Sequence, residues 1–164
     1  SCIRSMLHYG GFVEGWAVYV ENLSYGYAAQ LTKNEEAAAY IEACRLNRNL
    51  HLCLYSYMDI AIHYDGATPE QIGRFLENLG LGQHTNVETI YEYLVEEPCN
   101  YLKYYLGYLE FLSLKQKAEE LWGTDYSDYR FHKFVLETGP SDFRSLDELI
   151  TLHSYHGQNF GNQS

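Results

Sequence analysis

Basic side chains are scarce in this chain: 11 lysines and arginines stand against 22 aspartates and glutamates, a formal charge of -11. Such a field repels phosphate backbones and anionic lipid surfaces, which excludes nucleic-acid binding as a primary activity. No apolar run approaches the roughly 18 residues of a membrane-spanning helix, and no signal-peptide pattern is present. Only three prolines interrupt the chain, so long helices can run unbroken. Four cysteines, Cys2, Cys44, Cys53 and Cys99, show no C-x-x-C spacing and no paired clusters of the kind that hold structural zinc. On one shared helix Cys44 and Cys53 would lie on opposite faces roughly 13 Å apart, too far for a disulfide. They read as ordinary buried thiols, which favours a reducing compartment such as the cytoplasm. Also missing are G-x-S-x-G, a phosphate-binding loop, a dinucleotide fingerprint and H-E-x-x-H. The opening "SCIRSMLHYGG" has no initiator methionine and runs at once into an apolar helical pattern, as a fragment of a longer protein would.

What is present is a folded composition: 46% hydrophobic and 16% aromatic residues, with 17 tyrosines, over 164 residues. That length suits one domain, 1–164, with no linker or repeat to divide it. Hydrophobic periodicity is helical nearly throughout and predicts an all-α, multi-helix fold. The first helix is expected over about residues 11–31 and the second over about 35–63. Thr68, Pro69 and Gln71 spell a helix start with a capping box, and Gly80 and Gly82 a stop. A short helix near 86–95 follows. Pro98 is expected to open a long helix ending at Trp122, Ser127 to cap the next as far as Gly139, and Ser145 with Glu148 to cap the last. The polar tail 157–164 is expected to fray.

Within the first helix, Phe12, Trp16, Tyr19 and Leu23 share one face, and Glu14, Ala17, Val18 and Glu21 nearly the opposite one. Both faces are largely apolar, so Glu14 is expected to be buried. A buried carboxylate must be ion-paired, with Arg4 or Arg45 for example, neutralised, or bound to a metal. The second helix carries Arg48, His51, Tyr55, Asp59 and His63 in steps of three and four. That stripe is either a solvated face or the wall of a pocket, and His51, Asp59 and His63 could hold a metal. Tyr101, Tyr104, Tyr105 and Tyr108 share a helical face and read as packing tyrosines with polar tips. His132 lies between Phe131 and Phe134, where a histidine is ordinarily a hydrogen-bonded core residue. His153 and His156 are one turn apart near the end of the chain.

Several segments together resemble the bacterial proteins of the domain of unknown function 885 family, which look like gluzincin-type zinc metallopeptidases. "FVEGWAVYVENL" is similar to the family's E-G-W-A-x-Y-x-E, and "DIAIHYDGATPEQI" to D-x-x-I-H-Y-x-G-x-(S/T)-x-E. "EEPCNYLKYYLG" resembles P-x-x-x-x-x-Y-x-x-G, and "FHKFVLETGP" the closing F-H-x-x-(V/L)-L-x-x-G-P. Cys99 and Asn100 depart from the family's Gly-Gln after proline. The resemblance implies a mostly helical fold and a zinc site in which H-E-x-x-H supplies two histidines and the general base. Glu14 would be the third metal ligand, Tyr104 and His132 catalytic groups, and His63 with Tyr64 substrate-binding residues. The chain would then be the C-terminal part of a peptide-hydrolysing zinc enzyme. Without H-E-x-x-H it would be inactive alone, and its partners would be a peptide substrate, the missing N-terminal portion or a second copy against an exposed apolar face. The alternative is a non-catalytic helical module that binds another protein.

Overall fold

A computed structural model describes residues 8–82 and 85–152 in full and the backbone onward to Asn159. It is all-α. The helices are α1 (Gly10–Leu31), α2 (Glu35–His63), α3 (Pro69–Asn78), α4 (Val87–Glu96), α5 (Asn100–Trp122), α6 (Asp128–Thr138) and α7 (Phe143–Asn159), with a 3-10 turn at Gly123–Asp125. Residues 160–164 of the tail, Arg4, and the side chains of His153 and His156 lie outside the described residues.

Local chemistry sets the helix starts. Asn34 Oδ1 accepts from the amides of Glu36 and Ala37 and opens α2. Thr68 and Gln71 form the expected capping box on α3, with Pro69 at the first helical position. Asn86 caps α4 and Ser127 caps α6. Two starts differ from expectation. Asp142, not Ser145, caps α7: its Oδ1 accepts from the Ser145 amide at 2.8 Å and its Oδ2 from the Ser145 hydroxyl at 2.8 Å. An ionised carboxylate is the stronger acceptor at a helix N-terminus, so it wins over the hydroxyl. Helix α5 begins at Asn100, two residues past Pro98, because Cys99 sits in the left-handed region at φ 62°.

Contacts group the chain into two compact units: residues 1–20 with 106–164, and residues 21–105. In the first, Tyr19, Phe111, Phe131, Leu146 and Ile150 are fully buried. Phe111 sits among Phe12, Trp16 and Phe143 at ring separations of 5.2, 5.3 and 5.1 Å, all edge-to-face. In the second, Met58, Ile62, Ile72, Leu76 and Leu94 join α2, α3 and α4 into one core.

Candidate functional site

In the first unit, α1 buries Phe12, Gly15, Val18 and Tyr19 and holds Glu14 at the margin of that face. Glu14 is half-buried, not fully buried, because Val13 and Ala17 beside it are exposed and only one side of α1 is covered. Among the described residues it makes no hydrogen bond and no ion pair. Arg45, one partner considered for it, gives its Nε to Glu42 at 2.8 Å and an amino group to Asn22 at 3.3 Å.

His132 stands on α6, half-buried, with Nε2 2.9 Å from the hydroxyl of Tyr19, a residue 2% exposed. The Trp16 ring meets the imidazole edge-on at 5.7 Å. Burial pushes the His132 pKa below its ordinary 6.5; the Asp128 charge pulls it up and Lys115 pushes it down. The ring is therefore neutral at pH 7. Asp128 accepts from Tyr126 at 2.6 Å and pairs with Lys115 at 2.9 Å, and these bonds hold its carboxyl below the usual range. The Tyr126 phenol is pushed up, by burial first and then by that bond.

The neutral His132 carries a pH dependence whose sign follows from linkage. Its folded-state pKa lies below the free value, so its contribution to stability is complete above about pH 6.5 and is lost as the pH falls through the folded-state value. Thermal unfolding between pH 7.5 and 5 should show the melting temperature falling below pH 6.5. His132→Gln, which cannot titrate, should flatten that fall; parallel profiles for the two proteins would assign the pH dependence to other groups.

In the second unit, the stripe on α2 is part wall and part solvated face: Asp59 is buried, Arg48 and Tyr55 are half-buried, and His51 and His63 are exposed. Arg48 Nε lies 3.4 Å from both Glu21 carboxylate oxygens. His51 stacks on Tyr55 at 4.3 Å, and Tyr55 meets Tyr101 at 4.6 Å. Burial, then the neighbouring Tyr93, pushes the Tyr101 phenol up to about 12. Asp59 is 1% exposed, and neither carboxylate oxygen has a hydrogen-bond partner among the described residues. The basic side chain nearest to it is His63, with Nε2 3.6 Å from Oδ1. The same Nε2 is 3.0 Å from the Leu94 carbonyl oxygen, which can only accept, so Nε2 carries the hydrogen and Nδ1 is the imidazole's open acceptor. Tyr64 follows as the C-cap of α2 and is exposed. Tyr104 is half-buried on α5, with the Lys103 ammonium 5.5 Å from its ring centre.

The candidate residues thus fall in both units: Glu14 and His132 in the first, His63, Tyr64 and Tyr104 in the second. Two features escaped sequence reasoning. The Tyr19–His132 contact joins residues 113 apart, and no local pattern announces it. The burial of Asp59 did have a signal: it sits in "YMDIAIH", flanked almost wholly by apolar residues. Among the described residues no group of three His, Cys, Asp or Glu could hold a metal ion, and the set His51, Asp59 and His63 does not converge.

The fold and this geometry define an all-helical protein whose first helix carries an acidic side chain with no partner among the described residues. The chain belongs to the family of bacterial proteins of unknown function DUF885, whose sequence profile matches residues 1–150. Among solved structures it is similar to the putative lipoprotein from Colwellia psychrerythraea, at 25% identity and a TM-score of 0.71 over 90% of this chain. The chain spans 24% of the length of that protein. No curated protein matches it. Cys99 holds a positive φ that glycine adopts without cost.

Proposed function

We propose that this chain supplies the acidic zinc ligand, Glu14, to a zinc-dependent metallopeptidase whose other ligands and general base lie outside these residues. The observation that carries this is a half-buried carboxylate on a well-packed helix with neither hydrogen bond nor ion pair among the described residues. A carboxylate oxygen is a normal zinc donor, so Glu14 fits as one ligand. It is one ligand only, since the described residues offer no set of three. Alone, the chain is expected to hold no zinc stably and to cleave no peptide. Zinc, when bound in such an enzyme, polarises the scissile carbonyl and activates water.

The chain's own residues take the remaining roles. Tyr104 donates a hydrogen bond to the developing oxyanion. His132, neutral at pH 7, serves the same chemistry as an uncharged imidazole anchored to Tyr19. His63 spends Nε2–H on Leu94, so its Nδ1 accepts from a substrate N–H, with Tyr64 beside it. Glu14→Gln in the full-length protein should lower zinc affinity at least about tenfold, with peptide hydrolysis falling in step. Unchanged zinc content together with unchanged hydrolysis would overturn the reading.

A second reading, a protein-binding module, is favoured by one face of α2. Leu46, Leu50, Tyr57, Ile60 and Tyr64 recur there at helical spacing and are exposed. Full-length protein free of zinc and of peptidase activity would select it.

A further inference from the structure

The second unit contains a cavity of about 370 Å³. Leu54, Met58, Leu76 and Ile90 supply most of its apolar lining, from α2, α3 and α4. That volume lies within the range of small-molecule sites, roughly 300–1,000 Å³. Part of its polar lining is spent, the Thr85 hydroxyl on the Leu81 carbonyl and Asn86 Oδ1 on the Thr89 amide, and part is not. Among the described residues, the imidazole nitrogens of His51, the hydroxyl of Tyr55, Nδ2 of Asn86 and the hydroxyl of Thr89 make no hydrogen bond. Among the described residues no Asp, Glu, Lys or Arg lines the cavity. One wall is aromatic, because the His51 and Tyr55 rings lie stacked within 29° of parallel.

We propose that this cavity binds a small uncharged aromatic molecule that carries one hydrogen-bond donor. The apolar lining takes the ring, the stacked His51–Tyr55 wall offers it an aromatic contact, and His51 accepts from the donor. Charge complementarity argues the same way. A ligand carrying a charge would be desolvated among Leu, Met and Ile with no counter-ion in the lining. Burial, reinforced by Arg48, pushes the His51 pKa down, which keeps an acceptor nitrogen available at pH 7. The site is independent of Glu14 and stands whether or not the protein is a peptidase.

Indole is a suitable probe, and 1-methylindole is the same ring system without the donor. Titration of the full-length protein by 1H–15N NMR should give saturable shifts confined to the lining residues of α2, α3 and α4. Affinity for 1-methylindole should be severalfold weaker. Thr89→Phe adds a ring to an exposed residue of the lining and should weaken indole at least tenfold without changing the circular dichroism. His51→Phe keeps the aromatic wall but removes the acceptor, so it should bind indole and 1-methylindole equally. No saturable shift at millimolar indole overturns the proposal. Shifts that Thr89→Phe leaves unaltered, or a preference for indole that survives in His51→Phe, also overturn it.

Discussion

Gly107→Ala is expected to lower stability by more than about 4 kcal/mol or to prevent folding, a loss rarely produced by one methyl group. Within the first unit, Gly107 of α5 meets the Gly11–Gly15 stretch of α1 backbone to backbone. A Cβ on Gly15 would lie 2.6 Å from Gly107 Cα, and one on Gly107 would lie 3.0 Å from Gly15 Cα and overlap the Gly11 carbonyl oxygen. Overpacking ordinarily costs about 1–3 kcal/mol because a side chain can change rotamer to make room. Backbone atoms have no rotamer, so here the helices must separate. Separation would also loosen the rings that Phe111 packs against, Phe12 and Trp16 on α1. Gly26→Ala is the control: Gly26 also lies inside α1 but has nothing within 4 Å of its Cβ position. There the methyl group should add about 0.5–1 kcal/mol through helix propensity alone. Urea unfolding followed by circular dichroism separates the two, and a Gly107→Ala protein within 1 kcal/mol of the wild type would mean that the helices do not approach this closely.

That contrast shows which parts of the molecule are legible in the sequence. The helices were, because their ends are written in local chemistry: Thr68 with Gln71 at the start of α3, Ser127 before α6, and Gly139 at φ 71° after it. Periodicity alone gave the all-α class. The start of α7 was misread because Asp142 and Ser145 are both good caps, and choosing between them needs the competition of a carboxylate with a hydroxyl for the same first turn. The degree of burial of Glu14 was not legible. A helix apolar on both sides is expected to be covered on both, yet Val13 and Val20 are exposed. What covers a helix depends on residues far away in sequence, and the Tyr19–His132 and Gly15–Gly107 pairings are of that kind. Of the candidate site, residue types and their order were readable; which hydrogen bonds each had already spent was not.

Asp59→Asn is expected to raise stability by about 1–3 kcal/mol in urea at pH 7. The substitution keeps the shape of the side chain and removes the carboxylate, so no volume change enters. Asp59 is 1% exposed, and neither of its oxygens accepts a hydrogen bond among the described residues. Ser56, one turn earlier on the same face of α2, also has an unpartnered buried hydroxyl. Such groups forfeit their hydration without compensation, and a carboxylate forfeits about 1–3 kcal/mol more than the neutral amide that replaces it, which is left unpartnered too. The opposing term is attraction to His63, but at 3.6 Å, with the His63 Nε2–H already given to Leu94 and the ring about one-third exposed, it is the weaker of the two. A destabilisation of 1 kcal/mol or more would reverse that ranking and make Asp59–His63 a clamp that holds the end of α2 against α4. The expected gain has a functional meaning. A fold that keeps a costly carboxylate where an amide of the same shape is more stable retains it for its charge, and the basic side chain nearest that charge is His63.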